Sequence, residues 1–278
     1  MKNRYTWRTF SREFIALILA AITLIPLYLL LVVALKPSKD LFTSAAVPPI
    51  PPQWGNFATA WENAGEGGLG NAMLSSAIIT LGSVAFLVVL GSLCSWVLAR
   101  RPGRLSNSLY ILFLLGIILP FQLSIIPLYV GLRALGLVGT YAGMILLWTG
   151  VMMPLAVFLY TGFVRQLPPD YEEAARMDGA GTFRVFLRVV FPLLRPITGT
   201  VAILTGLFIW NDFFASLIFL SGTDHQTLPV AIYSFVGEYV TQWNFVFAAV
   251  VIALVPIVAF FIVAQRQMIR GFAGGIRG

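Results

Sequence analysis

PDYEEAARMDGAGTFRVFLRVVFPLLRP, residues 169–196, separates two long apolar stretches, and its local chemistry decides how the rest of the chain is read. Pro168 and Pro169 end whatever precedes it. Asp170 is suited to cap a short helix, with Glu173 three residues on as in a capping box. Glu172 and Glu173 also suit the positive start of that helix. Gly179 and Gly181 stop it, and Thr182 is placed to cap a second helix. There Phe183, Phe186, Leu187 and Val190 recur at i, i+3, i+4 and i+7, an apolar stripe, and Pro192 forces the chain out of the helix. A stripe in so short a segment needs cover. That cover is either the chain's own helix ends, the lipid surface, or a groove on a partner.

Outward from this segment the chain is apolar on a scale that only lipid explains. Hydrophobic residues make up 59% of the 278 and charged residues 10%, against roughly 25% charged in an ordinary soluble domain. The mean hydropathy is +0.89. A bilayer core of roughly 30 Å needs about 20 apolar residues in a helix. Six stretches meet that need: 15–35, 72–98, 110–131, 142–163, 196–220 and 245–264. The expected organisation is therefore an all-α integral membrane protein with about six transmembrane helices. A tail, 1–14, precedes them, a basic loop, 165–195, divides the fourth from the fifth, and a second tail, 265–278, follows. Prolines 120, 127, 154 and 256 inside these stretches are tolerated where neighbouring helices satisfy the freed carbonyls.

Lys2, Arg4, Arg8, Arg12, Arg100, Arg101, Arg104, Arg165, Arg176, Arg184, Arg188, Arg195, Arg266, Arg270 and Arg277 all fall on one side of the membrane in this arrangement. Only Lys36, Lys39 and Arg133 fall on the other. The positive-inside rule then places both termini and the 165–195 loop in the cytoplasm, which an even number of spans requires. The net charge of +7 is thus a topology signal, not a basic face for nucleic acid. The basic start followed by an apolar run is too long for a usual signal core, and Lys36 follows it as a membrane exit, so it reads as an uncleaved first helix. The outer connection, 36–71, carries the proline-rich run Pro48–Pro52 (interrupted by Ile50), then Trp54, Phe57 and Trp61, residues suited to a stiff loop at the lipid interface.

Catalytic and cofactor chemistry finds little material. Cys94 is the one cysteine and His225 the one histidine, so neither a disulfide framework nor a Cys-based zinc site is available. Gly65-Glu66-Gly67-Gly68-Leu69-Gly70 matches G-x-G-x-x-G, but a dinucleotide site also needs a preceding strand and a βαβ unit. A glycine hinge before the second span accounts for it better. No G-x-x-x-x-G-K-[ST] occurs, so the chain carries no ATPase P-loop of its own.

Within the loop, Glu173-Ala174-Ala175, Gly179, Val189, Phe191 and Pro192 follow the pattern E-A-A-x(3)-G-x(9)-I-x-L-P, with Val189 for the usual Ile and Phe191 for the usual Leu. This resembles the EAA loop of ABC-importer permeases, down to its place before the penultimate span; Arg176–Ala180 and Leu193–Pro196 also resemble that family. The resemblance implies a type I importer fold with a cytoplasmic coupling helix that sits in a cleft of an ATP-binding subunit. On that analogy Glu173 contacts the partner or caps its own helix, Ala174 and Ala175 permit close approach, and Gly179 lets the two helices bend. Asp178, Phe183 and Pro192 complete the expected coupling set. No cofactor is expected in this chain, ATP and magnesium being bound by partner subunits.

Further stretches are similar to the maltose-type carbohydrate permeases. They are Trp210-Asn211-Asp212-Phe213, Thr227–Ala231 with Thr241–Asn244, and the glycine-rich basic tail with Gly271, Gly274, Gly275 and Arg277, which in that family reaches toward the ATPase dimer interface. The implied assembly is this permease in the bacterial plasma membrane, a second permease of different sequence, two ATP-binding subunits and an extracytoplasmic sugar-binding protein. Asp212 is the one acidic residue within an expected span. Such a residue faces a cavity or a partner, so with Trp210 and Asn211 it either lines the substrate path or locks the fifth span to a neighbour. The rival class is a secondary transporter or channel working without ATP, which would want intramembrane ionisable groups or broken helices for ion coupling; Asp212 is the one candidate group, and the EAA spacing counts against that class. An ABC permease for a non-sugar solute is the nearer alternative.

Overall fold

A computed structural model describes residues 7–41, 46–101, 103–236 and 242–274. Among them there are helices and no strand. The order is α1 (Trp7–Ala34), α2 (Gly55–Asn63), α3 (Gly68–Arg100), α4 (Arg104–Ile118), α5 (Ile125–Ala134), α6 (Tyr141–Val164), α7 (Asp170–Met177), α8 (Thr182–Val185), α9 (Phe191–Leu193), α10 (Arg195–Trp210), α11 (Phe214–Leu220), α12 (Leu228–Tyr233) and α13 (Trp243–Gly274). Helices α1, α3 and α6 are each long and apolar enough to cross a membrane. Two bent pairs, α4 with the 121–134 segment and 182–193 with α10, pass the same test together, and α13 contributes the shorter apolar run Trp243–Ala259. The chain is an all-α, multi-pass membrane protein.

Two of the expected spans are therefore not single rods. The 110–131 stretch bends by 99° between Ile118 and Phe121. Leu119 precedes Pro120 and is extended, with φ −71° and ψ 124°, the conformation that a following proline ring imposes. Pro127 falls in the first turn of α5, where its missing N–H breaks no helical bond. The 196–220 stretch breaks at Asn211–Phe213, so α10 and α11 are separate helices.

The chain divides into two compact units. One comprises Met1–Gly70 with Ala231–Val255, the other Asn71–Val230 with Pro256–Gly278. In the first unit α1 is almost wholly uncovered, only 6% of its apolar window being buried; its solvent is lipid. Its end is held by polar contacts instead. Asn56 Nδ2 donates to the carbonyls of Ala34 and Lys36 at 2.8 and 2.9 Å. Asn244 Nδ2 donates to Asn56 Oδ1 at 3.3 Å and Ser38 Oγ to Asn244 Oδ1 at 3.0 Å. This knot satisfies carbonyls that the end of a helix leaves orphaned. In the Gly65–Gly70 run the first three residues form a turn and Gly68 opens α3, with no strand ahead of it among the described residues. Gly68 has φ +78°, and a Cβ there would meet the Trp61 carbonyl at 2.9 Å.

In the second unit α6 is the central element, packed against α4 and α10. Its buried side includes Met144, Trp148, Met152, Ala156, Tyr160 and Val164. Helix α3 comes close to it because its facing positions are small. A Cβ on Gly82 would lie 2.6 Å from Ile145 Cδ1, and one on Gly91 3.1 Å from Ala156 Cβ. With lipid on the outside, close packing of this kind, and not water exclusion, holds membrane helices together. Tyr160 adds a hydrogen bond from its hydroxyl to Thr198 Oγ1 at 3.0 Å, joining α6 to α10.

Candidate functional site: the α7–α8 element and its anchor

The 165–195 segment folds as the two short helices its sequence predicts, but with different capping. Asp170 and Thr182 are the first helical residues, not the caps; Pro169 and Gly181 hold the cap positions, and neither end has a side-chain cap bond. The acidic residues Asp170, Glu172 and Glu173 still occupy the first turn of α7, where they favour the positive helix end. Gly179 has φ +79°, a conformation that costs an L-residue roughly 1–2 kcal/mol. It reverses the chain with hydrogen bonds from Gly179 N to Arg176 O and from Ala180 N to Ala175 O, at 2.9 and 3.0 Å.

The apolar stripe divides. Phe186 and Val190 are buried, together with Val185 and Leu194, while Phe183 is 68% and Leu187 46% exposed. Phe183 and Leu187 form one i, i+4 row and Phe186 and Val190 the next, and only the second row faces the protein; a π-turn runs over Phe186–Val190, closed by Phe191 N–H bonding to Phe186 O. Such a widened turn rotates the residues that follow it. It also precedes Pro192, whose ring would crowd the carbonyl four residues back in a regular helix. The chain then turns by 74° into α10. Besides Phe183 and Leu187, Tyr171 and Met177 of the same segment are exposed, the latter at 89%. Glu173, Ala174, Asp178 and Gly179 are exposed on the same short segment.

The inward anchor is a residue that no sequence pattern sets apart from its neighbour. Glu172, not Glu173, is buried, at 3% exposure. Its Oε1 accepts from Arg100 Nε at 2.7 Å and its Oε2 from Trp96 Nε1 at 3.0 Å. Arg176 Nη2 lies 3.5 Å from the same carboxylate. Arg100 Nη2 also donates to Leu167 O at 2.8 Å, and the Trp96 ring leans on Phe186 at 5.3 Å between centroids. No periodicity marks Glu172. Only its place one residue before an exposed glutamate, on a helix with one face packed, separates the two.

Trp210, Asn211 and Asp212 stand at the break between α10 and α11. Asp212 Oδ2 accepts from Ser216 N and Ser216 Oγ, both at 2.9 Å, and Oδ1 accepts from Ala215 N at 3.2 Å. The carboxylate thus caps α11. Asn211 Nδ2 donates to Leu207 O at 2.7 Å, and Trp210 lines an apolar cavity of about 250 Å³ with Thr80, Val84, Gly206 and Pro256. Gly271 and Gly274 fall in the last turn of α13. Gly275 and Arg277 lie outside the described residues, as does Thr241 of the 241–244 stretch.

Residues 88–273 match the family of binding-protein-dependent transport system inner membrane components, and the chain belongs to that family. It is 39% identical over 272 residues to the melibiose/raffinose/stachyose import permease protein MelC of Bacillus subtilis, covering 96% of this chain and 97% of that one. It is 31% identical over 262 residues to the probable starch degradation products transport system permease protein AmyC of Thermoanaerobacterium thermosulfurigenes, covering 94% of each. The fold is that of a solved bacterial ABC transporter involved in the import of alginate. There the TM-score is 0.76 at 17% identity, over 94% of this chain and 98% of that one.

Proposed function

We propose that this chain is one of two permease subunits of an ATP-driven carbohydrate importer, and that the α7–α8 element couples it to an ATP-binding subunit. The observation that carries the coupling role is the two-sidedness of that element. One side is tied by Glu172 and Phe186 to α3, while the other leaves Tyr171, Met177, Phe183 and Leu187 uncovered. An uncovered apolar face beside small residues, Ala174 and Gly179, suits close helix-in-groove docking on a protein surface. Glu173 and Asp178 supply charge at its rim, and Pro192 sets the bend into α10. The carbohydrate class is supported by the names of the two relatives, each matched over nearly its full length.

On this reading both termini and the α7–α8 element are cytoplasmic, as the arginine distribution indicates. ATP and magnesium are bound by the partner ATPases, and a second permease of different sequence completes the pathway. An extracytoplasmic binding protein delivers the sugar, and the basic glycine-rich tail extends toward the ATPases. The break at Trp210-Asn211-Asp212 lies on the solute path. Irregular backbone within a membrane is tolerated where it is enclosed by protein or lines a cavity, and Trp210 already borders one. The test is purification of the tagged chain from its native membrane. An ATP-binding subunit, a second permease and vanadate-sensitive ATPase activity in the same fraction are expected. A chain that purifies alone and moves solute without ATP overturns the reading.

A further inference from the structure

The α7–α8 element is joined to α10 through the chain itself, by way of α9. Its contacts with α3 are of a different kind, and they converge. Trp96 and Arg100 are one turn apart on the last turns of α3 and so lie on one face. Between them they hold three parts of the element at once. Arg100 takes the Glu172 carboxylate and the Leu167 carbonyl just ahead of α7. Trp96 takes the other oxygen of Glu172 through its indole N–H and packs on Phe186 in the second arm. The Glu172 side chain is 5% and that of Arg100 20% exposed, so water competes little for this pair.

We propose that Glu172, Arg100 and Trp96 form a second transmission link, by which displacement of the α7–α8 element is delivered to α3 as well as to α10. The inference rests on the coupling role given to the element under Proposed function and assigns its positioning residues. Three properties make the cluster a link and not merely a stabilising contact. It is two-point, since the planar guanidinium and the indole N–H engage separate oxygens of one carboxylate, which fixes direction as well as distance. It bridges segments far apart in sequence, at the end of a 33-residue helix. At about 1.5 Å per residue that helix carries a push at Arg100 across roughly the full bilayer. Finally, Arg100 is the nearer of the two cations beside Glu172, at 2.7 Å against 3.5 Å for Arg176, so parting the pair strips a buried carboxylate of its closest counter-charge.

The test uses the complex assembled with its ATP-binding subunits, with Cys94→Ser as background. Spin labels are placed at Leu74→Cys on α3 and Leu146→Cys on α6, and in a second preparation at Leu204→Cys on α10 and Leu146→Cys. Distances are measured without nucleotide and after trapping with ATP and vanadate. The wild-type cluster is expected to give a nucleotide-dependent shift in both pairs. Glu172→Gln, which keeps the shape and removes the charge, should lose the α3 shift and keep the α10 shift; Arg100→Gln should do the same. A merely structural role would degrade both pairs together or neither. An α3 shift that is absent in the wild type, or that persists in both variants, overturns the link. Failure to recover any ATP-binding subunit with the chain overturns instead the coupling reading on which it rests.

Discussion

Replacing Asp212 by alanine removes the acceptor that starts α11. In the structure this carboxylate accepts from two backbone N–H groups and one hydroxyl. Helix α11 is seven residues long, so those two amides are a large share of its unpaired first turn. Charged hydrogen bonds taken singly would suggest several kcal/mol. The amides at a helix break can find water or neighbouring carbonyls once freed, however, and the capping range of roughly 0.5–2 kcal/mol applies, at its upper end for an anionic cap. A loss of about 2 kcal/mol is a factor of about 30 in the local opening equilibrium. Hydrogen exchange reads it directly, because the amides of Ala215 and Ser216 exchange through local opening. They should exchange about 30-fold faster in Asp212→Ala. Asparagine caps about as well as aspartate, so Asp212→Asn should stay within a few-fold of wild type and retain transport. An alanine variant with unchanged exchange would refute the capping argument. An asparagine variant with normal exchange but no transport would show instead that the charge itself acts on the solute path.

Other consequences follow from the same geometry. Gly179→Val should uncouple ATP hydrolysis from uptake more severely than Gly179→Asn, because φ +79° is worst for a β-branched residue and mildest for asparagine. Equal ATPase-to-uptake ratios in reconstituted complexes would contradict this. Asn56→Ala strips two buried carbonyls and Asn244 of their partner, at about 1–3 kcal/mol for each group left unsatisfied. The amides of Leu35 and Lys36, which bond to Val32 O and Val33 O at the end of α1, should then exchange faster with deuterium, and an unchanged exchange rate would remove the knot's assigned role. Gly82→Val overpacks the approach to Ile145 and should cost roughly 1–3 kcal/mol. Ile145→Ala in the same chain should recover part of it in a thermal melt, and no recovery would place the clash elsewhere.

The all-helical membrane class, the helical pair in the 165–195 loop and the family itself were legible in the sequence. Each rests on a local or periodic property: 20 apolar residues to cross lipid, a glycine where the chain must reverse, a fixed spacing from Glu173 to Pro192. Such properties survive without knowledge of what lies opposite. Distances between segments do not. Glu172 and Glu173 are indistinguishable by composition and by helix dipole, and only the end of α3, some 70 residues earlier in the chain, turns one into a buried anchor and leaves the other exposed. The apolar stripe follows from a 3.6-residue period, but which of its rows is covered depends on what lies opposite: Phe186 meets Trp96, while Phe183 stays exposed. That Asp212 accepts from the first-turn amides of α11 depends on the break after Trp210, which the apolar run 196–220 does not show. Local chemistry writes the helices and their ends; which of two adjacent carboxylates meets an arginine depends on close packing between segments, and that is decided only in three dimensions.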